Sequence, residues 1–225
     1  MELRRKKYSI VSHIKNIFYP EICPYCKKVV RLGDFACKKC AEKFPAEPYI
    51  RRAIGGYLSV SAAPYEDNYA GAILSFKFHN MTQYKTQLAI PVAKAVWREY
   101  AHIDFDFVTC VPLHKKNLAD RGYNQSELIA KEMAIMLSIP YTDALKKTRF
   151  NQPQHSIKGV SKRASNVKGV YKPTDPKLIK DKTILLIDDI ITTGNTLGEC
   201  ANILQKYGAK EVFCATFATV VSKTT

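Results

Sequence analysis

The stretch ILLIDDIITTGNT runs from Ile184 to Thr196. Four apolar residues lead straight into two adjacent aspartates, Asp188 and Asp189, and Ile190 and Ile191 then pass into Thr-Thr-Gly-Asn-Thr. A continuous apolar run, without alternation, predicts a strand covered on both faces, as in a parallel sheet. In open sheets of that kind ligands bind beyond the carboxyl ends of the strands. Asp188 and Asp189 are expected at such an end. Adjacent carboxylates resist desolvation, so they need water or a partner. Ribose hydroxyls, or Mg²⁺ held through substrate oxygens, would serve. Thr192, Thr193, Gly194, Asn195 and Thr196 then precede a predicted helix. Small residues let backbone N–H groups converge, and a helix N-terminus adds positive partial charge, which together make a phosphate cradle. No Gly-Lys-Ser/Thr follows, so this is not a Walker loop, and the glycine triplet of a dinucleotide fingerprint is missing. The plainer alternative is a capped helix after a polar strand end. The two halves in this order favour phosphate plus ribose.

Outward from that stretch, apolar strands alternate with helical patterns. Strands are expected over residues 57–63, 105–113, 183–187 and 212–220, and helices over 69–78, 86–100, 125–137 and 196–207. This alternation predicts an α/β domain with helices on a parallel sheet. Between about residues 150 and 175 the pattern weakens into a polar, basic segment, expected to be a disordered connection or a mobile element of the site.

The N-terminal part differs. Cys23 and Cys26, then ten residues, then Cys37 and Cys40 form two CxxC pairs. Each pair presents two thiolates to one ion, and four sulfurs complete a closed tetrahedral zinc shell, which is structural because no position is left for water. A redox dithiol pair is the alternative. Gly33 lies where the chain must double back, and Lys27, Lys28, Lys38 and Lys39 are expected to favour thiolate. The loop between the pairs is short, so the module should lean on other structure. Cys110, Cys200 and Cys214 read as buried apolar residues.

The 225 residues are 46% hydrophobic and 24% charged, a globular profile, with a net charge of +15. Such a charge attracts anions, including nucleic acid, phosphorylated metabolites and anionic membrane; spread over solvated faces it serves only solubility. The basic N-terminus is not read as a signal peptide, because His13, Lys15 and Asn16 break its apolar stretch. No run is long enough to span a bilayer. Ile10, Ile14, Ile17 and Phe18 recur at helical spacing, predicting a short amphipathic helix, expected to pack on its own protein rather than on a membrane surface. Seven cysteines without an export signal argue for a reducing cytosol, a cytoplasmic setting.

Asp-Asp, two apolar residues, then Thr-Thr-Gly-x-Thr resembles the ribose-phosphate signature of type I phosphoribosyltransferases, which bind phosphoribosyl pyrophosphate (PRPP). CVPLHKKNLADRGYNQSELIA (Cys110–Ala130), SFKFHN (Ser75–Asn80) and the segment from Lys146 to Lys172 narrow the resemblance to the ComF (competence protein F) family. It spans about residues 20 to 220. It implies a type I phosphoribosyltransferase-like parallel sheet flanked by helices over residues 51–225, with a small zinc-binding module over residues 1–50. It also implies PRPP with Mg²⁺ as ligand, structural Zn²⁺, and a role in natural transformation. Single-stranded DNA, a competence helicase and other transformation proteins are the implied partners, with no stable membrane insertion.

Under the resemblance Asp188 and Asp189 are the catalytic acidic pair, and Thr192 to Thr196 take the ribose phosphate. The pyrophosphate loop matches Val111, Pro112, Leu113, His114 and Lys115, with Arg121 opening the RGYNQ run beside it. His114 is a loop ligand or a capping residue; Lys77 reaches phosphate or snorkels from a helix end. Gln154, Arg163 and Asn166 fall in the polar insert, where a hood over an acceptor would sit. Some purine-using members of the wider class carry an aspartate base where this chain has Thr192, which weakens a purine-salvage reading. An active transferase with an unknown acceptor, a PRPP-binding module, and a zinc-containing nucleic-acid adaptor remain the three functional readings. Tyr8, Phe18, Tyr19, Tyr25 and Phe44 could stack on bases, but packing around the cysteine module is favoured.

Overall fold

The computed structural model describes residues 8–149 and 169–221. Gln154, Arg163 and Asn166 lie outside the described residues, as does most of the weakly patterned segment.

The sheet has five strands in the order β1-β2-β7-β6-β3: β1 (Tyr49–Arg52), β2 (Leu58–Pro64), β7 (Glu211–Thr219), β6 (Thr183–Ile191) and β3 (Phe107–Cys110). The expected parallel arrangement holds for β2, β7, β6 and β3. β1 was not anticipated. It pairs antiparallel with β2 through the turn at Gly55 and Gly56, and its arginines lie on the outer edge, where charge discourages further strand addition. A separate two-stranded ribbon joins β4 (Leu145–Lys147) to β5 (Tyr171–Pro173).

The helices match the periodicity closely: α3 (Asp67–Phe78), α4 (Lys85–Tyr100), α6 (Gln125–Leu137) and α7 (Asn195–Lys206). Two strands depart from expectation. β3 ends at Cys110, because Pro112 cannot donate to a ladder and the chain turns there into α5 (Lys115–Arg121). β6 continues past Ile187 to Ile191, because β7 keeps pairing with it, Asp188 against Thr216 and Ile190 against Ala218. The aspartates therefore lie within the last turns of a paired strand rather than beyond it.

The strands alternate between two apolar layers. Leu185 and Ile187 pack with α4 and α6, while Ile184 and Leu186 pack with α7. α6, from the connection entering β6, thus covers one face, and α7, from the connection leaving it, covers the other. β6 also has β3 on one side and β7 on the other. Its carboxyl end is therefore the topological switch point, where a crevice opens between diverging connections.

The cysteine segment is built onto the α4–α6 layer. Cys23, Tyr25, Val30 and Ala36 are buried in the same apolar cluster as Leu88, Val92 and Phe217. Tyr25 stacks 6.3 Å from Phe217, and Gln87 Nε2 donates to the carbonyl of Ile22 at 3.1 Å and of Asp34 at 3.3 Å. The short loop leans on α4, as its length demanded. α1 (Ile10–Phe18) forms where the periodicity predicts it, but it buries none of its residues. Among the described residues none covers its apolar side, where the expectation was that the helix packs on its own protein. Among the described residues no helix is long and apolar enough to cross a membrane.

Candidate functional site

The switch point gathers three segments. From β6 come Asp188 and Asp189, and from the β6–α7 turn Thr192 to Thr196. From the end of β3 comes Val111, whose N–H donates to Ile187 O at 2.9 Å and sets Pro112, Leu113 and His114 beside the aspartates' strand. The acidic pair, the turn and the expected loop are therefore brought to one edge of the sheet.

The two aspartates have different partners. Asp188 Oδ1 accepts from Ser126 Oγ at 2.7 Å and from the Asp189 backbone N–H at 2.9 Å. Asp189 Oδ2 pairs with Lys77 Nζ at 2.7 Å. Poor solvation and the neighbouring Asp189 charge push Asp188 up to about 7, while the Ser126 hydroxyl and the Lys77 ammonium pull the other way. The residue keeps a partly exposed edge, but its carboxylate is poorly solvated. Lys77 closes α3 near its C-terminus, where a cation also complements the helix dipole. The alternative of an outward, snorkelling Lys77 is not what the structure shows.

Gly194 starts α7 with φ of 75°, a left-handed conformation that favours glycine. An added Cβ there would lie 3.0 Å from Ala53 Cα. The first turn of α7 carries no acidic residue, so its N-terminal N–H groups keep their attraction for an anion. Thr193 Oγ1 and both side-chain polar atoms of Asn195 are buried without a hydrogen-bond partner. Buried polar atoms are rarely left so; a bound phosphate would accept from the Thr193 hydroxyl and from Asn195 Nδ2, while Asn195 Oδ1 needs a donor. Thr196, by contrast, meets the Tyr171 hydroxyl.

Asn124 caps α6 by accepting from Ser126 N–H at 3.1 Å, and its Nδ2 donates to Val111 O at 3.0 Å. One side chain thus fixes both the loop after β3 and the helix that carries Ser126. Tyr123 donates its hydroxyl to Phe76 O, and Arg121 lies over the Phe78 ring at 5.0 Å. The RGYNQ run is thereby the clasp between the end of α3 and the start of α6. His114 caps α5, its Nδ1 accepting from Lys116 N–H at 3.2 Å, and so the capping alternative is realised within the loop. Lys115 is exposed at the start of α5.

Three contributors escaped sequence reasoning. Ser126 is signalled only by its place one residue into α6. Tyr171 and Lys147 come from the β4–β5 ribbon. Burial lowers the Lys147 pKa, with Asp188 and Arg121 close enough to act on it.

The four cysteine sulfurs Cys23, Cys26, Cys37 and Cys40 lie within 4.8 Å of one another, with Cys26 Sγ 3.4 Å from Cys37 Sγ. That spacing fits one tetrahedral zinc with Zn–S bonds of about 2.3 Å. Cys26 is drawn down to about 7, first by a hydrogen bond from the Lys28 backbone N–H and then by the neighbouring sulfurs. Of the four lysines expected to favour thiolate, Lys27 turns its Nζ away, to Pro24 O at 3.0 Å and Tyr84 OH at 3.2 Å. Tyr25 and Phe44 are packed in an aromatic cluster with Tyr69 and Phe217, as the packing alternative held. A cavity of ≈ 630 Å³ lies between this module and α4, lined by Phe35, Phe44, Pro48, Pro91, Trp97 and Arg98. It is apolar and separate from the aspartates, and the convergent polar groups at β6 mark the stronger candidate.

A phosphoribosyl transferase domain model matches residues 124–225. DNA utilization protein YhgH of Escherichia coli (strain K12) is 25% identical over 199 residues, covering 85% of this chain and 81% of that protein. Competence protein F of Haemophilus influenzae is 31% identical over 104 residues, covering 45% of each. These matches support a ComF family assignment. Among solved structures, adenine phosphoribosyltransferase overlays with a TM-score of 0.42 at 12% identity, covering 81% of this chain and 89% of that one. The domain model begins at Asn124, so the cysteine module, Lys77 and the Val111–Lys115 loop lie N-terminal to the matched region.

Proposed function

We propose that this chain is a ComF-family protein that binds PRPP with Mg²⁺ at the carboxyl end of β6 and acts in natural transformation, in the handling of imported single-stranded DNA. The observation that carries the reading is the meeting, at one sheet edge, of a paired carboxylate and a helix N-terminus whose buried Thr193 and Asn195 polar atoms lack partners. Thr192, Thr193, Gly194, Asn195 and Thr196 would hold the ribose phosphate, and Asp188 and Asp189 the ribose hydroxyls. Val111, Pro112, Leu113, His114 and Lys115, with Arg121, would take the pyrophosphate. Bound Mg²⁺ would neutralise phosphate charge and orient substrate oxygens.

If an acceptor is used, pyrophosphate leaves the ribose C1 while positive charge develops on the sugar. Asp188 and Asp189 then stabilise that charge, and the cations of the loop stabilise the leaving group. Thr192 supplies no carboxylate base, so deprotonation of a purine acceptor gains no support at that position. The names of the relatives, DNA utilization and competence, support the cellular role, as does the charge of +15. A Zn²⁺ ion held by Cys23, Cys26, Cys37 and Cys40 would be structural.

The test is calorimetric titration of PRPP with Mg²⁺ into zinc-loaded protein and into the Asp188→Ala, Asp189→Ala variant. Binding is expected for the first and absent for the second. No binding by folded wild type would overturn the reading and leave a zinc-containing nucleic-acid adaptor. Pyrophosphate release in the presence of candidate acceptors then separates an enzyme from a binding module.

A further inference from the structure

α1 is fixed in place with its apolar face turned outward. At its start the Tyr8 ring lies so close to Gly33 that an added Cβ on that glycine would sit 2.7 Å from Tyr8 Cε2, and burial pushes the Tyr8 phenol up to about 12. Ser9 caps the helix, accepting from Ser12 N–H at 3.2 Å. At its end Asn16 Oδ1 accepts from Glu21 N–H at 2.9 Å. The polar side of the helix thus ties to the cysteine module. Ile10 at 80%, Ile14 at 51%, Ile17 at 76% and Phe18 at 74% remain exposed, with Val11 beside them. At 100° per residue these five share an arc of about 120°, bordered by Lys15 on one side and His13 on the other, while Ser12 and Asn16 lie opposite. None of the described residues covers the arc.

We infer that α1 is a docking face for an anionic lipid surface, lying in the interface with its isoleucines and Phe18 among the acyl chains. The occupant must be apolar and anionic at once. Lys15 borders the arc, and Arg4, Arg5, Lys6 and Lys7 precede the helix in sequence. A second copy offers an apolar face but brings the same charge of +15. Nucleic acid offers the charge, yet it has no use for a row of isoleucines. An anionic bilayer offers both, and a basic helix with a concentrated apolar face lies in that interface. Nine residues cannot span the bilayer, so the attachment is peripheral and reversible.

Flotation of the zinc-loaded full chain with vesicles tests this, using phosphatidylcholine alone and phosphatidylcholine with about one third phosphatidylglycerol. The chain is expected to float with the anionic vesicles only, and to be released at high salt. The Ile14→Ser, Phe18→Ser variant changes exposed residues, so it should keep its zinc and its circular dichroism while vesicle partitioning falls about 10-fold or more. Lys15→Glu should weaken binding to anionic vesicles as well. The inference is overturned if folded wild type does not float, or if the variant floats equally well. It is also overturned if the variant loses only concentration-dependent self-association or only oligonucleotide binding.

Discussion

Lys77 Nζ sits 2.7 Å from Asp189 Oδ2, so the last turn of α3 is tied by one ion pair to the carboxyl end of the central strand β6. Both side chains are largely buried, at 20% and 10% exposed. A pair of this kind is costly to break from one side, because the surviving charge stays desolvated. Lys77→Met should therefore lower stability by about 1–3 kcal/mol. Lys77→Arg, which keeps the charge, should lose less. Urea unfolding at neutral pH reads both; an unchanged midpoint in Lys77→Met would show that water already screens the pair.

Asp188 gives the fold a pH dependence of definite sign. Its carboxyl is raised from 3.8 to about 7 by poor solvation and by Asp189. The native state therefore holds a proton that the unfolded chain has released. That contribution to stability is complete below about 3.8, shrinks as pH rises, and is gone above about 7. Asp188→Asn removes the titration. The variant should gain on wild type as pH rises from roughly 5 to 8, seen as converging or crossing urea midpoints. Parallel midpoint curves for the two proteins would count against a raised Asp188.

Much of this site was legible because its chemistry sits in short contiguous stretches. The helices α3, α4, α6 and α7 fell within a few residues of their periodic patterns. Asp188, Asp189 and the Thr192–Thr196 turn carried their meaning in order and adjacency. What stayed hidden is what only packing decides. The Lys77–Asp189 pair joins residues far apart in sequence. Ser126 is an ordinary helix serine until α6 is laid beside β6. β1 is too short and too amphipathic to announce itself next to Pro48. The covering of α1 was not legible, because periodicity reports an apolar face and says nothing about what covers it.

Gly198 is held by steric contact rather than by conformation. A Cβ there would lie 2.2 Å from Ile54 O, where the β1–β2 turn crosses α7. Backbone cannot yield as a flexible side chain can, so Gly198→Ala should cost about 1–3 kcal/mol or more. It should also weaken PRPP binding if the Thr192–Thr196 turn is the phosphate site, because the same crossing braces Gly194 against Ala53. Gly71 is the control: it lies in α3 with nothing within 4 Å of an added Cβ. Gly71→Ala should leave stability equal or raised by up to about 1 kcal/mol. Thermal unfolding of the two variants should diverge; matching melting temperatures would contradict the close crossing.

Zinc removal should be felt well beyond the four cysteines. Cys23 is wholly buried, Tyr25 stacks on Phe217 of β7, and Phe44 meets the same ring at 6.4 Å. The cysteine cluster and the inner face of the sheet are therefore parts of one packed unit. Without metal, four thiols gathered within 4.8 Å lose the ion that justifies their closeness. Chelation, or Cys26→Ser, should lower the melting temperature of the whole chain by about 6–12 °C, the equivalent of about 3 kcal/mol. It should do so in one cooperative transition that includes the sheet, with a single zinc per chain in the untreated protein. Calorimetry with metal analysis reads both. Two separate transitions, the later one unmoved by chelator, would mean that the rings around Phe217 pack without transmitting stability.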